Sequence, residues 1–226
     1  KVAKEFILYR EEAARRRDEE GRRNSKLNEN IPWAKVWRNL DWAVEHKLNT
    51  VELLNERVAK GEFAQIVHES EALYEDDVEL AARLIIERLK DLRMVMISGP
   101  SSSGKTSTTV KLEQKLIKKG YKFKALNVDH YFFDLEFHPK DEFGDYDFET
   151  PQALDLPLIN EHLVKLSQGE KVLIPSYDFK NGTRTLNVTQ MKLEKDELLL
   201  IDSLHGLYPD FSKDISIDVK FKLYLE

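Results

Sequence analysis

Apolar and polar positions change their period near the middle of the chain. Before about residue 90 the spacing is helical. Trp33, Trp37, Val44 and Leu48 recur at helical intervals with Trp42 nearby, and they read either as a small helical core or as a face for a partner. The block through Arg23 is dense in Glu and Arg at i,i+4 spacing, the mark of a solvated helix. Residues 24–30 are polar and loop-like, with Pro32 placed to start a helix. Val78, Ala81, Ile85, Leu89 and Leu92 predict an amphipathic helix over 77–92. After it, short apolar runs alternate with helical patterns. Strands are predicted at Met94–Ile97, Phe123–Val128, Val172–Ile174 and Leu198–Ile201, and the alternating run Val219–Leu225 reads as another. Helices are predicted through Val110, Leu112, Leu116 and Ile117 with a stop at Gly120, and over Leu154–Leu166 with Asp155 near its start and Gly169 as its stop. The fully apolar Leu198–Ile201 marks a central parallel strand, buried on both faces.

This order predicts an α/β fold over 91–226, a parallel sheet flanked by helices. It is preceded over 1–90 by a mainly helical N-terminal extension, or the remnant of an accessory domain. The last predicted strand ends at Glu226 with nothing to cover it, and the first residue is Lys1, so a fragment of a longer protein is expected.

Composition narrows the function. At 41% hydrophobic residues the chain can build a core, and a formal charge of −6 supplies no basic field for nucleic acid. The triplet Arg15-Arg16-Arg17 is flanked by Glu11, Glu12, Asp18 and Glu19, which makes it a solvated face rather than a basic patch. The absence of cysteine excludes disulfides and thiolate metal sites. No apolar run reaches the roughly 18 residues of a membrane span. No membrane or nucleic-acid partner is therefore expected, and cytoplasm is the expected location; a homo-oligomer is left open.

Gly99-Pro100-Ser101-Ser102-Ser103-Gly104-Lys105-Thr106 satisfies G-x-x-x-x-G-K-[ST] at every position. Glycines let the backbone turn tightly, so that successive N–H groups point at phosphate oxygens. Lys105 is expected at the β- and γ-phosphates and the Thr106 hydroxyl on Mg²⁺. Strand, loop and helix follow in the order that aims a helix N-terminus at an anion. Gly99, Ser101, Ser102, Ser103, Gly104, Lys105, Thr106 and Ser107 are therefore the expected contacts to ATP or GTP, in a P-loop NTPase-type fold.

Ligands of open α/β sheets bind beyond the carboxyl ends of the strands. Asp129 and Asp202 both follow predicted strands. Asp202, after four apolar residues, has the form of a Walker B carboxylate that holds Mg²⁺; a structural cap is its other reading. Asp129 is the candidate general base for an acceptor hydroxyl, or else an ordinary turn former. None of the six histidines has metal-ligand spacing. His130 and His205 lie close to these carboxylates, where either could contact substrate, and a surface or hydrogen-bonded structural role is favoured for both.

The stretches "ISGPSSSGKTS", "NVDHYFFD", "PKDEFGDYDFETPQALDLPLI", "IPSYDF" and "LLLIDSLHGLYPD" together resemble the uridine kinase branch of the uridine kinase and phosphoribulokinase family of P-loop kinases. The resemblance runs from Met94 to Glu226, so that 91–226 is expected to be a P-loop kinase core. It implies that Asp129 is the general base, that Asp147 binds the ribose hydroxyls and that Tyr177 packs near the pyrimidine. Arg184 matches an arginine that follows that motif. Asp147 as a turn residue and Tyr177 as core are the alternatives. The segment "ESEALYEDDVELAARLI" resembles the joining region of a bacterial subgroup, whose kinase domain follows a domain like one in threonyl-tRNA synthetase.

Three departures stand out. Gly182 occupies the place of a family histidine that helps read the base, Asp202-Ser203 stands where Glu-Gly is usual, and the arginine-bearing lid is expected after Glu226. The resemblance thus implies an ATP- and Mg²⁺-dependent enzyme that phosphorylates the 5′-hydroxyl of a pyrimidine nucleoside, with catalytic Lys105 and Asp129, substrate-binding Asp147, Tyr177 and Arg184, and metal-binding Thr106 and Asp202. A kinase for another hydroxylated metabolite, such as a sugar phosphate, and a non-catalytic nucleotide-binding module are the alternatives.

Overall fold

A computed structural model describes residues 33–225. The predicted helix through Arg23, the loop at 24–30, Pro32 and the arginine triplet lie outside the described residues. The chain divides into two compact units at Glu69/Ser70; the change of period places a boundary only loosely, between about residues 65 and 92.

In the first unit, α1 (Trp33–Glu45) ends before Leu48, and neither it nor its tryptophans are fully buried. The most enclosed side chain of α2 (Val51–Ala59) is Arg57, whose guanidinium donates to Glu62 and Glu69 carboxylates at 2.7 and 2.9 Å and to the His46 carbonyl at 2.8 Å. Thr50 caps α2 by accepting from the Leu53 amide at 3.2 Å.

The long helix α3 (Phe63–Arg88) starts earlier than its periodicity indicated and carries the chain into the second unit. There β1 (Met94–Ser98), β2 (Lys122–Asn127), β5 (Glu197–Asp202) and β6 (Lys220–Tyr224) form a parallel sheet in the order β2-β5-β1-β6. The apolar runs explain the centre: alternate side chains of β1 and β5 enter opposite layers, and both layers are covered. Met94, Met96, Leu199 and Ile201 pack with Ile159, Leu163 and Leu166 of α5 (Leu156–Ser167). Val95, Ile97, Leu198 and Leu200 pack with Leu112 and Leu116 of α4 (Lys105–Ile117) and with Val78, Ala81, Ala82 and Ile85 of α3. Because these α3 residues belong to the sheet's own core, the boundary falls where it does. Leu163 is fully buried, so Leu163→Ala is expected to cost about 3 kcal/mol, the usual range for an uncollapsed leucine cavity. Urea denaturation of the whole chain measures it, and a loss below about 1 kcal/mol would contradict this packing.

The strand predicted at Val172–Ile174 is longer, β3 (Val172–Asp178), and it leaves the parallel sheet. It pairs antiparallel with β4 (Thr183–Met191), a strand the periodicity did not reveal. Most of β4 is exposed on both faces, so its residues carry no alternation to read. No helix among the described residues is long and apolar enough to cross a membrane.

Candidate active site

Beyond Ser98 the chain enters the 99–106 loop. Gly99 has no room for a side chain, since a Cβ would stand 2.3 Å from the Leu225 carbonyl oxygen and 2.7 Å from Ser103 Oγ. Ser102 and Gly104 both take left-handed backbone, at φ +62° and +84°. Such a turn faces successive N–H groups inward and forms an anion-binding nest. Gly104 precedes α4 without a side-chain cap, which leaves the first amides of that helix open to an anion. Ser103 Oγ is buried and has no hydrogen-bond partner among the described residues. Lys105 Nζ folds back to donate to the Pro100 carbonyl at 2.7 Å, above the loop. Ser101, Ser102, Thr106 and Ser107 are exposed around this cradle.

Sheet register brings the carboxylates to it. Ile97 of β1 and Asn127 of β2 both align with Asp202 of β5. Asp202 Oδ2 accepts from Thr106 Oγ1 at 3.2 Å, so the shorter aspartate still reaches the loop threonine. Ser203 is tied down by its amide donating to the Ile97 carbonyl at 3.0 Å, while its Oγ accepts from the His205 amide at 3.1 Å. Asp129 follows β2 in a 3-10 turn, Val128–Tyr131. The Asn127 side chain accepts from the Asp129 amide at 3.0 Å, and Tyr131 anchors the turn through a buried hydrogen bond of 2.9 Å to His162 of α5.

Of these groups Lys105, Asn127, Asp129, Asp202, Ser203 and His205 line one cavity of about 420 Å³, whose walls also include Phe132 and Phe148. The Asp129 carboxyl opens onto the cavity, yet the surrounding walls keep it from full hydration. That desolvation raises its pKa above the ordinary aspartate value, the nearby Asp202 adds to the rise, and His130 opposes it. Desolvation likewise lowers the pKa of His205 and favours its neutral imidazole, against the pull of Asp147 and Glu149. Burial raises the pKa of Tyr177, which keeps its phenol protonated.

The cradle, Lys105, Thr106, Asp129 and Asp202 thus come together. Asp147, Tyr177 and Arg184 do not line the cavity. Asp147 lies in the loop before α5, where its Oδ1 accepts from the Glu149 amide at 2.8 Å, and its charge reaches His205. Tyr177 is one ring behind the wall, its centroid 5.5 Å from that of Phe132. Arg184 is held elsewhere, paired to Asp155 at the start of α5 at 2.8 Å, with its guanidinium 5.0 Å over the Phe133 ring. Phe132 and Phe148 are wall residues that the motif reading left out, and His205, for which a structural role was favoured, stands on the wall as well. Phe132 follows Asp129 by one turn of 3-10 spacing, and His205 follows Asp202 by three residues; that proximity was the available signal. At Gly182 the backbone is left-handed, at φ +65°, and a Cβ would lie 2.8 Å from Leu135 Cβ, so this fold admits no side chain in place of the missing histidine.

The model of the Phosphoribulokinase / Uridine kinase family matches residues 94–226, more than half of the chain. The chain belongs to this family. Among curated members, the uridine kinase of Mycoplasma genitalium is 32% identical over 133 residues, 59% of this chain and 60% of that protein. The uridine kinase of Mycoplasma pneumoniae is 33% identical over 135 residues, again 59% of this chain and 60% of the relative. The chain therefore spans about three-fifths of the length of such relatives. A structure described as that of a possible uridine kinase from Bacillus stearothermophilus superposes with a TM-score of 0.54 at 18% identity, covering 68% of this chain and 81% of that one. That likeness establishes the P-loop kinase fold within which this family's site is built.

Proposed function

We propose that the chain carries the phosphoryl-transfer core of an ATP- and Mg²⁺-dependent kinase that acts on the 5′-hydroxyl of a pyrimidine nucleoside. The observation that carries this reading is the convergence on one cavity of an ammonium group and two carboxylates in distinct surroundings, with the left-handed turns of the 99–104 loop directly before that ammonium-bearing residue and the Thr106 hydroxyl bonded to one of the carboxylates. The nest with its orphaned Ser103 hydroxyl fits a polyphosphate. The Thr106 hydroxyl and Asp202 carboxylate are hard oxygen donors in hydrogen-bond contact, which suits Mg²⁺ completed by phosphate oxygens and water. No cluster of three acidic, histidine or cysteine ligands exists among the described residues, so phosphate would have to complete the set. When bound, the ion would neutralise charge on the phosphates.

In this reading Lys105 leaves the Pro100 carbonyl for the phosphate oxygens, and the loop amides hold the transferring group in line with the acceptor. Asp129 accepts the hydroxyl proton, a task its desolvated carboxyl suits. Phe132 and Phe148 exclude water from the acceptor side, and Asp147, whose charge reaches His205 on the cavity wall, would serve the ribose hydroxyls. A protein of this kind works in the cytoplasm, where its nucleotide is supplied. The curated relatives named uridine kinase favour a nucleoside acceptor. The test is product formation from ATP and magnesium with uridine, cytidine, purine nucleosides and sugar phosphates, using a chain long enough to include all the family's elements. Phosphorylation of the pyrimidine nucleosides above all others is expected. Turnover confined to sugars would overturn the acceptor assignment, and nucleotide binding without any product would overturn the enzyme.

A further inference from the structure

Behind the cavity wall lies a box of five rings. Phe132 meets His138, Phe148, Tyr177 and Phe179 at centroid separations of 5.3, 5.4, 5.5 and 6.1 Å. The rings of His138 and Tyr177 lie nearly parallel, 6.1 Å apart. Both residues are more than nine-tenths buried. Yet two of their polar atoms, His138 Nδ1 and Tyr177 Oη, have no hydrogen-bond partner among the described residues. A buried polar atom without a partner costs on the order of 1–3 kcal/mol, so a pair of them in one apolar box calls for a reason.

The chemistry of the two atoms is defined by their surroundings. His138 Nε2 lies 2.9 Å from the Phe133 carbonyl oxygen, which can only accept. Nε2 therefore carries the hydrogen, and in the neutral ring Nδ1 is an acceptor. Tyr177 Oη, with no partner, is free to donate. The box thus offers an acceptor and a donor among aromatic faces. That is the complement of a flat heterocycle whose edge carries adjacent N–H and oxygen or nitrogen acceptor groups. Phe148 lines the cavity and also meets the His138 ring at 4.7 Å, and it is 37% exposed, so it is the ring whose movement would join box and cavity.

We propose that His138 reads the acceptor's base: its Nδ1 accepts a hydrogen bond from the N–H edge of a pyrimidine stacked against Phe132 and Phe148, while Tyr177 Oη donates beside it. This rests on the nucleoside-kinase reading above and supplies the imidazole that Gly182 cannot. Uracil offers N3–H to Nδ1 and a carbonyl to Oη, and cytosine offers its amino N–H and its ring nitrogen.

The test compares uridine with 3-methyluridine, which lacks that N–H, in the full-length enzyme and in His138→Phe, which keeps the aromatic packing. The unaltered enzyme is expected to prefer uridine in kcat/KM by roughly tenfold or more, the worth of a hydrogen bond whose loss leaves a buried partner unpaired. His138→Phe is expected to lose that preference, with a raised KM for uridine and an unchanged KM for ATP. His138→Gln, which can again accept, is expected to restore part of it. Equal discrimination in His138→Phe and the unaltered enzyme would overturn the role of His138 while leaving the kinase reading intact. A parallel fall for both nucleosides would reduce His138 to packing and equally overturn it. Absence of turnover with uridine and cytidine in the unaltered enzyme would instead bring down the nucleoside reading, and this proposal with it.

Discussion

Lys105→Ala is expected to reduce turnover by a factor on the order of 10³ or more. The physical ground is that phosphoryl transfer is catalysed almost wholly by positioning and by charge placed where the transition state needs it. Lys105 is on the cavity wall, and its Nζ now rests 2.7 Å from a loop carbonyl, a weak neutral partner that phosphate oxygens would displace. Removing it leaves the amide nest with its left-handed Ser102 and Gly104, so nucleotide binding is expected to weaken rather than vanish. Initial rates of ADP formation give the first quantity and titration calorimetry the second. If Lys105→Ala turns over within a few-fold of the unaltered enzyme, the cradle does not serve catalysis.

Asp129→Asn separates chemistry from binding. A general base contributes about 10² to 10⁴ in rate, so a loss in that range is expected while the affinity for ATP changes little. Although Asp129 is an exposed residue, partial desolvation of its carboxyl raises the folded-state pKa. Such a group adds stability below its unfolded pKa and loses it as pH rises through the folded value, so at neutral pH the ionised carboxylate weakens the fold. The asparagine variant should therefore melt no lower than the unaltered protein at pH 7. The same shift sets the acid limb of the rate profile. Activity should fall as pH drops through a value above the ordinary 3.8 of aspartate, and what remains of the variant's activity should lack that limb. Full activity in Asp129→Asn would assign the proton to another group, with neutral His205 across the cavity the first to examine.

Much of this site was legible along the chain, for reasons that belong to local chemistry. The 99–106 loop is read from eight consecutive residues, because an amide nest is built by backbone geometry that glycine permits. Asp202 is announced by the four apolar residues before it, since a strand buried on both faces must be apolar and the first carboxylate after it must lie at the sheet's edge. Asp129 follows the same rule with a weaker strand. Helix stops at Gly120 and Gly169 were visible because glycine alone takes their left-handed backbone at no cost.

Side-chain direction was not legible. Arg184 sits beside Tyr177 in β-sheet register yet pairs with Asp155, because strand neighbours do not determine where a long side chain ends. Phe148 and His205 reach the cavity from loops with no period to read, and β4 is exposed along most of its length, so it carried no alternation.

By itself, then, the amino-acid sequence determined the glycine-bearing 99–106 loop between a strand and a helix, the strands of the parallel sheet and their flanking helices, and which carboxylates follow strands. These depend on residues close together along the chain and on burial periods of two and 3.6. The tertiary structure alone decided that β5 lies between β1 and β2, bringing Asp129 and Asp202 to one cavity and Asp202 to the Thr106 hydroxyl. It also enclosed His138 and Tyr177 in one aromatic box and closed position 182 to any side chain. Those outcomes arise from contacts between segments tens of residues apart, which no local pattern encodes.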